Sequence, residues 1–283
     1  MRNVMILVVF ATLGGVGGAG AVESEPAAKD SVQAQIILTV SEGKRLIAKA
    51  VAEMPVVKKA LQDGMVIIAR GTTNTYVAEE LTGQKIAHGA YVIGWTGPAK
   101  GGQAPEPGER VEDIVLVNGQ VQPGMSMDDA LNALKVGDVV IKGANALDRQ
   151  HKTAGVLIGG GPNSSAGSTG KIYPVVVSRK AHLVIPIGLE KQVQGEVIDI
   201  ANKMREPIES LNAIPSMFLV TGDILTEIEA LELLTGASVF QAAAGGIGGA
   251  EGSSRLICRG TREQVEKALA IAESIQGEPA FLE

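Results

Sequence analysis

The sequence predicts an α/β protein: a Rossmann-like, mostly parallel sheet followed by a smaller C-terminal ferredoxin-like α+β domain. Three observations predict it. Short apolar runs alternate with segments of helical spacing over residues 36–204, as in a doubly wound sheet. Several of those runs, Met65–Ala69 foremost, are continuously apolar, as a strand buried on both faces requires. After Ile214 the order becomes β-α-β-β-α, the order of a ferredoxin-like unit. The implied domains are residues 35–213 and 214–283.

The elements follow in chain order. Ile36–Val40 reads as a strand, and Ser41 as the cap of a helix carrying Leu46, Ile47, Ala50, Val51 and Met54. Pro55 opens a second helix that Gly64 ends. Met65–Ala69 runs through a polar turn, Arg70 to Thr75, into a helix bearing Tyr76, Val77 and Leu81. Residues 94–110 read as a loop or lid, and Asn118-Gly119 as the turn of a hairpin. Ser126 and Asp129 form a capping pair before a helix through Leu134. Val136–Ile141, Gly155–Ile158 and Leu183–Ile187 read as further strands of the parallel sheet, with helices at Tyr173–Arg179 and up to Met204. Beyond residue 213, Met217–Val220, Val239–Ala243 and Ser254–Cys258 are strands. Leu225–Leu234 and a segment from Thr261 to Ile275 are helices, and Ala280–Leu282 is a candidate last strand.

Composition excludes several classes. A net charge of −6 and 3% aromatic residues argue against a phosphate-backbone partner and against base stacking, so no nucleic acid is expected. A lone cysteine and three scattered histidines leave no framework for disulfides and no expected metal site; no cofactor is implied. Arg2, an apolar run from Val4 to Leu13 and the small residues Ala19-Gly20-Ala21 have the pattern of a cleavable export signal over residues 1–21. A start codon placed too early and an uncleaved anchor are the alternatives. The run is too short for a stable membrane span. The protein is therefore expected to be periplasmic or secreted if the signal is genuine, and cytoplasmic otherwise. Residues 22–34 read as a polar linker.

In a parallel sheet, ligands bind beyond the carboxyl ends of the strands. Three segments fall at such ends. The turn Gly71-Thr72-Thr73-Asn74-Thr75 puts hydroxyl and amide donors at a helix start, where backbone amides and the helix dipole favour an anion. Ordinary capping by Thr73 or Asn74 is the plain alternative. In the second segment Lys142 could neutralise an anion, Gly143 and Asn145 could contact it, and Asp148 could act as a general base or simply cap a turn. The third, residues 159–171, offers glycine amides with Gly167, Ser168, Thr169 and Lys171 as donors, or is a solvated linker. It lacks the G-K-[ST] order of a nucleotide-triphosphate loop, because Ile172 follows Lys171. Glu190-Lys191 reads as a solvated helix start, and Gly245–Gly252 as a hairpin loop able to fold over the pocket.

The succession Gly71–Thr75, Gly143-Ala144-Asn145 and Gly167-Ser168-Thr169 resembles the superfamily of ribose-5-phosphate isomerase A, glucosamine-6-phosphate deaminase, CoA transferases and initiation-factor-2B-like proteins. The resemblance covers roughly residues 36–200. It implies a phosphosugar-like or acyl-CoA-like pocket. Asn145 stands where that superfamily's isomerases carry a catalytic aspartate, so the usual proton abstraction has no group to perform it. Two classes of function remain open. One is a protein that binds a small phosphorylated or carboxylated metabolite without catalysis. The other is an isomerase-like or CoA-transferase-like enzyme with Asp148 as base and Lys142 stabilising an oxyanion. A homo-oligomer is compatible with both.

Overall fold

The computed structural model describes residues 31–100, 111–159 and 165–282. The expected export signal, most of the linker, part of the 94–110 loop and residues 160–164 lie outside the described residues. In chain order the elements are β1 (Val32–Leu38), α1 (Val40–Glu53), α2 (Pro55–Asp63), β2 (Met65–Ile68), α3 (Thr72–Thr82), β3 (Ile114–Val117) and β4 (Gln120–Val121). Next come α4 (Met127–Ala133), β5 (Val139–Ile141), β6 (Ala146–Asp148), β7 (Thr153–Ile158), α5 (Gly167–Arg179), β8 (His182–Pro186) and α6 (Val197–Lys203). The chain continues with β9 (Ser216–Val220), β10 (Asp223–Leu225), α7 (Glu227–Thr235), β11 (Ser238–Ala244), β12 (Ser254–Gly260) and α8 (Arg262–Ile275). Short 3-10 turns cover His88–Tyr91 and Leu189–Lys191.

The fold is mixed α/β around a six-stranded sheet ordered β10-β8-β5-β2-β3-β4. Its first four strands are parallel, while β3 and β4 add antiparallel. Every side chain of β2 and β5 is buried, which matches their uninterrupted apolar runs. Tyr91 holds the far end of β2 in place: its hydroxyl donates to Ile68 O and accepts the Ile114 N–H at 3.0 Å. Helix α1 packs on α3 and α7, and its buried Leu46, Ile47, Ala50 and Val51 join the main apolar core.

Four features differ from expectation. Thr39, not Ser41, caps α1: its hydroxyl accepts the Glu42 N–H at 3.3 Å and the Glu42 carboxylate accepts the Thr39 N–H at 2.8 Å. That reciprocal pair starts the helix two residues early and buries Ser41 inside it. Strand β7 is not in the parallel sheet but antiparallel between β6 and β9. Only residues 149–152 separate β6 from β7, and so short a link permits an antiparallel return but no parallel crossover. The strands after residue 213 do not share one sheet. Strand β9 joins β7, β10 joins β8, and the β11–β12 hairpin takes β1 as its third strand, in register from Val32↔Gly260 to Leu38↔Ser254. Residues 280–282 form no strand. Chain segments on both sides of residue 213 therefore belong to one compact unit, Ser31–Glu283. Among the described residues no helix is long and apolar enough to cross a membrane.

Candidate functional site

The parallel strands β2, β5 and β8 end side by side, and each ladder runs one residue past its strand. The Ala69 N–H donates to Ile141 O, the Lys142 N–H to Val184 O and the Ile187 N–H to Leu225 O, all at 3.0 Å. The residues just beyond, Arg70 to Asn74, Lys142 to Ala144 and Gly188 to Lys191, are thus held by backbone bonds at one edge.

Helix α3 starts at this edge without a side-chain cap, behind Gly71. Its first-turn amides face the edge unsatisfied by any capping oxygen, the arrangement that suits an anion. The side chains there are unusual. Asn74 is 1% exposed, and its amide NH2 clamps two strand ends by donating to Ala69 O at 2.6 Å and Ile141 O at 3.1 Å. Its Oδ1 has no partner, and neither has the Thr73 hydroxyl at 3% exposure. A Cβ placed on Gly143 would come 4.0 Å from that Oδ1 and 3.5 Å from Pro186 O, so Gly143 lines the same corner. Thr75 is less available: its hydroxyl donates to Gly71 O at 2.9 Å in the ordinary back-bonding of a helical threonine. Arg70 closes the rim, with its N–H bonded to Asp113 at 2.8 Å and its buried Nε unbonded, 3.6 Å from the same carboxylate.

Three lysines converge here from three elements. Lys142 follows β5, Lys191 ends the turn after β8, and Lys44 comes from α1 at 8% exposure. Lys191 donates to Ala144 O at 3.0 Å. Among the described residues the Lys44 and Lys142 amines have no hydrogen bond and no ion pair within 4 Å; the Lys44 amine lies 5.6 Å from the Phe281 ring centre. Burial lowers the pKa of all three. It brings Lys142 to about 8, with the Lys191 charge adding and Asp113 opposing. Lys44 and Lys191 are pulled down by burial against the opposing charges of Glu190 and Glu227.

The carboxylate of this group is Glu227, the first residue of α7 and 3% exposed. It accepts the Leu189 N–H at 2.9 Å. Burial pushes its pKa up to about 7, with the Glu190 charge adding. Two glycines make room for these acids. A Cβ on Gly43 would stand 2.5 Å from Glu227 Oε1, and a Cβ on Gly188 would collide with the Glu190 carboxylate. Glu190 itself is exposed and also lines a cleft of about 540 Å³. The opposite wall of that cleft comes from Gly245 and Glu251 to Ser254 of the glycine-rich β11–β12 turn.

The remaining sequence candidates lie in other settings. Asp148 ends β6 and accepts the His151 N–H at 3.0 Å and its ring nitrogen at 2.9 Å. Burial alone would raise its pKa, but those bonds win and hold it below the ordinary value. The Val197 backbone at the start of α6 adds to that lowering. Asn145 serves the same hairpin, its N–H donating to Gly155 O at 2.8 Å and its Oδ1 accepting the Leu157 N–H at 3.0 Å. Gly167, Ser168 and Thr169 open α5 after an antiparallel strand, and Thr169 is buried. Lys171 spends its charge on Asp128 at 2.9 Å on the surface.

The structure therefore gathers Gly71 to Asn74, Lys142 and Gly143, and adds Lys44, Lys191, Glu190 and Glu227. Lys44 had a visible signal: it occupies the apolar stripe of its helix, three and four residues before buried Ile47 and Ala48. Glu227 had none, because a glutamate after a capping threonine is ordinary helix grammar. Among the described residues no group of three or more histidine, cysteine or carboxylate side chains is arranged to hold a metal ion. Comparison with family models, with curated proteins and with solved structures returns no match.

Proposed function

We propose that the carboxyl edge of β2, β5 and β8 binds a small phosphorylated or carboxylated metabolite. One observation carries this reading: three lysines converge on the edge, and among the described residues their amines make one hydrogen bond between them, from Lys191 to Ala144 O. A buried cation without a partner is costly, and a dianion seated between the amines removes that cost. The open first turn of α3 and the unpartnered Thr73 and Asn74 oxygens supply further bonding positions. Thr73 can donate to the ligand, whereas the Asn74 oxygen can accept from a ligand hydroxyl, which favours a hydroxylated anion over a bare one.

The β2–turn–α3 unit is the part that supports a Rossmann-like reading, and with it the resemblance to the ribose-5-phosphate isomerase A superfamily. Its phosphate position in this chain would lie at Gly71–Asn74 and Lys142, not at Gly167–Lys171. The test is a thermal-shift series with inorganic phosphate, citrate and sugar phosphates against sodium chloride at matched ionic strength. An anion at a hundredfold excess over its Kd stabilises the folded chain by ~2.7 kcal/mol, a rise in Tm of roughly 5 °C at this size. Equal Tm values in all of these anions and in chloride would end the reading.

A further inference from the structure

We propose that Lys142 is a nucleophilic lysine that forms an imine with a carbonyl group carried by the bound anion, so that the ligand class is a 2-oxo acid or a phosphorylated aldehyde or ketone. This rests on the anion-binding reading above and adds chemistry to it. Lys142 is placed for that role by the fold. It stands at the end of the strand between β2 and β8, and its own N–H is fixed to Val184 O. Its amine has no hydrogen bond and no ion pair among the described residues, so its lone pair is not engaged once the proton is gone. The groups around it divide the work. Lys191 is tied to Ala144 O and offers a fixed positive charge beside it, while Thr73 and the first turn of α3 offer donors.

A reacting lysine must be partly unprotonated at working pH. Burial and the neighbouring Lys191 charge hold this amine at about 8 against the restoring charge of Asp113. At pH 7 that leaves about 300 times more free amine than on a lysine at 10.5. The neighbouring groups that face it are Lys191 from the turn after β8 and Asp113 from the segment before β3. In the step itself the nitrogen lone pair forms the C–N bond while the carbonyl π pair moves to oxygen. The two nitrogen protons then leave with that oxygen as water, and the C=N bond closes. No oxidant or reductant takes part.

The experiment uses the full chain incubated at pH 8 with pyruvate or glyceraldehyde 3-phosphate, then sodium borohydride, with peptide mass mapping of every lysine. Inorganic phosphate and citrate, run in parallel by thermal shift, report binding without a carbonyl. The expected result is reduction-trapped adduct on Lys142 at least about tenfold above the exposed Lys58, Lys59 and Lys171, from one probe or both. The two probes distinguish an oxo acid from a phosphorylated carbonyl. Lys142→Arg, which keeps the charge and removes the nucleophile, should lose the adduct. Adducts spread evenly over surface lysines, or phosphate and citrate binding with no adduct on Lys142, overturn the imine and leave the binding site standing. Absence of both anion shift and adduct overturns the two readings together.

Discussion

Lys44 and Arg45 are consecutive on one helix, both nearly buried, and they meet opposite fates. The Arg45 guanidinium bonds Glu79 at 2.6 Å and Glu278 at 2.9 and 3.0 Å, and lies 4.6 Å from the Tyr76 ring centre. Burial opposes its charge, but the bonds to the two glutamates outweigh that and lift its pKa above the ordinary value. Glu79 mirrors it, with burial overcome by the Arg45 bond and the pKa lowered. Lys44, one residue earlier, faces Glu190, Lys191 and Glu227 without bonding any of them. A buried charge that finds its partners within the chain is structural cement. One left without a hydrogen bond or ion pair is a place where something else completes the pairing.

The largest test of that contrast is Arg45→Met, which strands two glutamates and should cost about 3–5 kcal/mol in urea unfolding. Lys44→Met should leave the anion-free protein as stable or more so, and should weaken phosphate binding. Next in size are the pH slopes. Glu227 keeps a proton in the folded state that the unfolded chain, at 4.5, has already released. Its contribution is therefore full below pH 4.5 and falls as the pH rises to about 7. Glu227→Gln should flatten that decline and gain at most about 3 kcal/mol at pH 7.5. Lys142 has the opposite sign: the folded state sheds its proton at about 8 and the unfolded state at 10.5. Stability should rise with pH across that window in wild type and lose that component in Lys142→Met, as read from Tm against pH.

The smaller effects belong to the groups outside the lysine site. Asp148→Asn should cost about 1–2 kcal/mol by weakening the bonds to His151, with phosphate binding unchanged. Lys171→Met should change stability by no more than about 0.5 kcal/mol, because its pair with Asp128 is a surface one. A large loss of anion binding in either variant would move the site toward the β6–β7 hairpin and α5 and dissolve the contrast.

What the sequence disclosed was local. The unbroken apolar run of β2 and the hydroxyl-rich turn behind it identify a strand end and a helix start from a dozen adjacent residues, and Lys142 after β5 is legible in the same way. Asp148 carries a similar local pattern, an acid just past an apolar run. It belongs to a tight hairpin whose turn needs Lys152 at a φ of 50°, and short-range pattern does not separate that turn from a crossover. The meeting of Lys44, Lys191 and Glu227 depends on α1, the turn after β8 and the start of α7 packing together. That is a property of tertiary contacts across almost two hundred residues, and no spacing within the chain encodes it. The pairing of β1 with β12 was hidden for the same reason.

The central claim, that the unpaired lysines are completed by an anion, is tested most directly by proton linkage. Calorimetric titration of phosphate into the protein at pH 8.5, repeated in two buffers of different ionisation enthalpy, gives the protons taken up on binding. An anion beside Lys142 favours the charged amine, so binding should draw a large fraction of one proton from the buffer, and Lys142→Met should abolish that uptake. Phosphate binding with no proton exchange, or an uptake unchanged in Lys142→Met, would contradict the account.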